Sequence, residues 1–96
     1  MLSFSVYAER PLTQKDELYC SRIEFDAIIY LDLKNDGATF EWQKNSLKHV
    51  DGNPDYSKNQ YEVDLKVLQW VYDGWTPSAI KQRCLEQRSL NIWPVN

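Results

Sequence analysis

His49 stands two residues before Asp51, which offers a general base beside a carboxylate able to orient it. No serine or cysteine is tied to this pair by a local motif, so nucleophilic catalysis lacks its second member. Gly37, Gly52 and Gly74 each sit among turn-forming residues, and no glycine run exists to cradle a phosphate. The chain is expected not to be an enzyme and to use no cofactor. Asp51, Asn53, Asp55, Asn59 and Glu62 fall at positions 1, 3, 5, 9 and 12 of a twelve-residue window, the spacing of a calcium loop. Position 6 of that window is Tyr56 where the loop needs glycine, and Pro54 interrupts it, so these residues read as turn formers and a helix cap rather than metal ligands.

Two surfaces have the chemistry of recognition instead. Glu24, Asp26, Ile28, Tyr30 and Asp32 alternate along the chain, and Glu41 lies on the same face of the segment that follows. An acidic ladder with Tyr30 and Ile28 as apolar anchors suits docking on a basic protein, where charge steers and the anchors hold. Trp70, on a second apolar stripe of its helix, is a further anchor for a partner or for a homodimer. The basic set is Lys81, Arg83 and Arg88. With Gly74 as a turn glycine, these residues would decorate the second helix of a degenerate helix-turn-helix at about 63–88 and touch DNA. Trp70, Asp73 and Arg83 fit that motif poorly.

These residues must be positioned by elements, and the spacing indicates which. Leu2, Phe4, Val6 and Ala8 alternate with Ser3, Ser5 and Tyr7, the pattern of a strand over 2–8 that Pro11 would end. Ile23, Phe25, Ala27, Ile29, Leu31 and Leu33 occupy six successive odd positions, which predicts a strand over 22–34 with its acids on the other face. Asn35-Asp36-Gly37 then reads as a hairpin turn into a strand over 38–43, with Phe40 and Trp42 facing the core. From Lys44 to Asn59 the pattern is that of a loop with a helical turn near Ser46 to His49. Asn59 and Glu62 open a helix of about 60–73 with Tyr61, Leu65, Leu68 and Tyr72 on one stripe. Gly74 caps it and Trp75 packs back over the end. Thr76-Pro77 starts another helix, to about residue 88, and Leu90, Ile92 and Val95 suggest an edge strand or packed tail.

The fold expected from this order is α+β: a small antiparallel sheet covered by two C-terminal helices, in one domain spanning 1–96. Lys plus Arg total 11 against 14 for Asp plus Glu, a net charge of −3 that argues against coating polyanions by bulk charge. No apolar stretch is long enough to span a bilayer. The N-terminus has no basic start and no signal-peptide core, which points to the cytoplasm. There Cys20 and Cys84 are expected as buried thiols, a disulfide between them being the alternative. The function expected is that of a small acidic protein-binding module, inhibitor or immunity-like, with DNA-binding regulation as the second reading.

Overall fold

Three threonines start helices. Thr13, Thr39 and Thr76 each accept, through Oγ1, the backbone N–H three residues on, from Asp16, Trp42 and Ala79. Asp16 returns the favour to the Thr13 N–H at 2.9 Å, closing a capping box. The computed structural model describes residues 10–50 and 58–93. Among them it holds four helices and no strand: α1 (Gln14–Asn35), α2 (Phe40–Val50), α3 (Lys58–Tyr72) and α4 (Pro77–Ser89).

The α+β expectation is therefore overturned. Residues 22–34 lie inside α1, and 38–43 run from the α1–α2 turn into the first turns of α2. Asn35-Asp36-Gly37 is not a hairpin turn but a helix stop. Gly37 has φ of 101°, its N–H reaches the Lys34 carbonyl, and the Ala38 N–H reaches the Leu33 carbonyl. The same left-handed tolerance serves a hairpin or a helix C-cap equally well, so those three residues alone do not choose. Gly74, with φ of 97°, ends α3 by the same pair of bonds, and Trp75 stacks on Trp70 at 5.2 Å as expected. The helices expected at about 60–73 and 77–88 are α3 and α4. The chain after α4 makes a third such cap, with Trp93 buried, rather than an edge strand. The strand expected over 2–8 lies outside the described residues.

α1 packs on α4 and α3, and α2 packs on α3. The core is shared among Cys20, Ile23 and Ala27 of α1, Val63, Val67 and Val71 of α3, and Ile80, Cys84 and Leu85 of α4, with Trp93 beneath. Cys20 and Cys84 are joined as a disulfide with Cα atoms 5.7 Å apart, which corrects the expectation of two thiols. One turn before Cys20, Asp16 is 1% exposed and accepts Arg88 Nε at 2.7 Å from one turn after Cys84. The Arg10 guanidinium forks onto the same carboxylate at 2.7 and 2.8 Å. These donors hold the Asp16 carboxyl far below the usual carboxylate range, the Arg10 bonds being the largest cause, followed by Thr13 and Arg88.

Two outcomes follow. A carboxyl whose folded pKa is depressed adds stability that is complete above the unfolded value and lost as pH falls. Asp16→Asn should lower the thermal midpoint at pH 7 more than Glu17→Asn does, and the gap to the parent should narrow once the pH drops below about 4. A gap equal at pH 7 and pH 2 would refute the ionic role. The disulfide closes a separation of 64 residues, for which loop entropy predicts about 4 kcal/mol. Replacing both cysteines by serine should lower unfolding free energy in urea by roughly 2–4 kcal/mol, and a loss under about 1 kcal/mol would contradict it.

Candidate functional site

At the far end of α1 the chain turns through Asp36, Gly37, Ala38 and Thr39 into α2. This turn is held from below. The Tyr72 hydroxyl donates to the Ala38 carbonyl and accepts from Gln43 Nε2 at 2.9 Å, and the same Gln43 nitrogen donates to the Tyr30 carbonyl at 3.0 Å. Gln43 is 3% exposed, so its amide is a buried tie between α1, α2 and α3. Phe40 meets the Tyr72 ring edge-on at 5.6 Å, and Lys34 turns inward, with Nζ 5.5 Å from that ring's centre.

On the solvent side of this support lies an open groove of about 430 Å³ lined by Leu33, Asp36, Gly37, Ala38, Thr39 and Trp42. Trp42 is 57% exposed, against the expectation that it fills the core. Asp36, which lines the groove, is exposed, and so are Glu41, next to Trp42 in the chain, and Asp32, one helical turn before Asp36. An indole over a groove with an aliphatic floor, edged by the Asp36 carboxylate, has the chemistry to take a lysine or arginine side chain: stem on the apolar surface, cation against ring and acid.

The acidic ladder expected from the alternation is not one surface. Ile28, Asp32 and Glu41 are exposed, whereas Glu24, Asp26 and Tyr30 are half-buried. Tyr30 packs against the core, and burial, aided by the carboxylates of Asp64 and Asp26, pushes its phenol above the usual range. Burial likewise pushes Asp26 up, with Asp64 adding to the shift and Arg22 opposing it. Trp70 is half-buried between Trp75 and Trp93, with Lys66 Nζ 5.2 Å from its ring centre. Of the basic set, Lys81 pairs with Glu17 at 3.0 Å, Arg83 with Glu86 at 3.0 Å, and Arg88 is buried on Asp16.

Sequence reasoning placed Phe25, Ile29 and Trp42 inside; all three are exposed, at 61%, 42% and 57%. The signal that finds them is the spacing of Thr39 to Trp42, a helix N-cap to its third residue, and the seven- and four-residue steps from Leu18 to Phe25 to Ile29. The side chains of His49, Asp51, Asn53 and Asp55 lie outside the described residues, and among the described residues no three His, Cys, Asp or Glu side chains gather as a metal site. No described helix is long and apolar enough to cross a membrane. Comparison with protein families, with curated proteins and with solved structures finds no match.

Asp26 gives a check on these faces. A carboxyl with a raised folded pKa destabilises once it is ionised, so Asp26→Asn should raise the thermal midpoint at pH 7, and the gain should vanish below about pH 4. A loss at pH 7 would mean that Asp26 faces a cation.

Proposed function

We propose that the chain is a protein-binding module, inhibitor or immunity-like, that docks a basic partner at the α1–α2 end. Trp42 is the anchor, and Asp36 and Glu41, with Asp32 at the edge, steer the partner. The observation that carries this reading is the exposed Trp42 indole over a largely apolar groove that the exposed Asp36 carboxylate also lines. It retains the acidic and aromatic chemistry read from the sequence and moves the anchor from Tyr30 to Trp42. The DNA-binding alternative has weaker support, because Lys81 and Arg83 are paired with acids and Arg88 is buried. The Cys20–Cys84 disulfide favours an oxidising compartment over the cytoplasm expected from the N-terminus, since cytosolic reductants keep such pairs open.

The test uses two synthetic amphipathic peptides, one of lysine and leucine and one of glutamate and leucine, titrated calorimetrically into the full chain. The lysine peptide should bind, less tightly as salt rises, and the glutamate peptide should not. Trp42→Ala should weaken binding about tenfold or more, and Glu41→Lys should weaken it further at low salt than at high. Equal binding of the two peptides, or parental affinity in Trp42→Ala, defeats the reading.

A further inference from the structure

α1 is apolar on two opposite sides. Cys20, Ile23 and Ala27 face the core, while Leu18, Phe25, Ile28 and Ile29 are 65%, 61%, 49% and 42% exposed. Leu18 to Ile29 spans about 16 Å of helix at 1.5 Å per residue, so these side chains make a continuous stripe rather than scattered exposures. Lys15, Arg22 and Asp32 are exposed on the same side. Read in order, Lys15, Leu18, Arg22, Phe25, Ile29 and Asp32 follow one another at steps of three, four, three, four and three, the seam of a two-helix coil.

That seam is complementary to itself when reversed. If a second α1 runs antiparallel with its register centred between Ile23 and Glu24, Lys15 falls opposite the second copy's Asp32, Leu18 opposite Ile29, and Arg22 opposite Phe25. Cation meets acid, aliphatic meets aliphatic, and a guanidinium lies against a ring. A parallel arrangement would instead set Lys15 on Lys15 and Asp32 on Asp32. Two-fold symmetry repeats each antiparallel contact, so every favourable pair counts twice. We propose that the chain forms an antiparallel homodimer through this outer face of α1. The proposal does not rest on the groove at the α1–α2 turn, whose Trp42 lies outside the seam.

Sedimentation of the full chain over a wide concentration range tests it. The parent should pass from monomer to dimer as concentration rises. Phe25→Glu should remain monomeric with unchanged far-ultraviolet circular dichroism. Lys15→Glu alone and Asp32→Lys alone should each weaken dimerisation about tenfold, because each creates two like-charge contacts. Combining them should restore it. Both positions are exposed, so these two variants keep the test valid even where Phe25→Glu disturbs folding. Trp42→Ala should dimerise like the parent, which separates this outcome from the fate of peptide binding. A parent that stays monomeric at every concentration overturns the proposal, as does a double reversal that fails to restore the dimer.

Discussion

Asp16 meets Arg88, and Cys20 meets Cys84. In both pairs a step of four residues forward along α1 matches a step of four back along α4, so the two contacts define one antiparallel register. Everything else in the fold is arranged around that pairing. It fixes which side of α1 is inside, bringing Ile23 and Ala27 onto the same core as Ile80 and Leu85. Tyr19 then sits under the Arg88 guanidinium at 4.3 Å and accepts Trp93 Nε1 at 2.9 Å, which seals the chain after α4 against the start of α1. Asp16, Arg88 and both cysteines are buried, so the pairing of Asp16 with Arg88 is screened little by salt.

The same register determines what is left outside. With its inner side committed to α3 and α4, α1 presents Leu18, Phe25, Ile28 and Ile29 to solvent, and its C-cap Asp36 lines the groove with Trp42. Among the described residues, this second apolar face of α1 stays exposed. Most of the exposed large apolar side chains therefore gather in two places: a charged and apolar stripe along α1, and the groove beside Trp42 at its end.

The helices α3 and α4 were legible from their residues, and α1 and α2 were not. Gly74 followed by Thr76-Pro77 reads as a helix stop and then a helix start, and α3 and α4 lie within a few residues of where those signals put them. In α1 two helical stripes interleave. The core set at Cys20, Ile23 and Ala27 and the outer set at Leu18, Phe25 and Ile29 together fill alternate positions from Ile23 to Ile29, which imitates the period of a strand. Thr13 with Asp16 three residues later was the local signal for a helix, and it precedes the misleading alternation. The acids followed the same error: alternation put Glu24, Asp26 and Asp32 on one face, whereas helical turns of about 100° spread them around the axis.

Nuclear Overhauser contacts measured on dilute monomer test the central claim, that α1 is a helix buried on its Cys20–Ile23–Ala27 side and open along Leu18–Phe25–Ile29. The account predicts sequential amide contacts through residues 22–34, contacts from the Ile23 and Ala27 methyls to methyls of α3 and α4, and none from the Phe25 ring to either helix. Cross-strand contacts between residues 22–34 and 38–43, with the Phe25 ring among the core methyls, would contradict it.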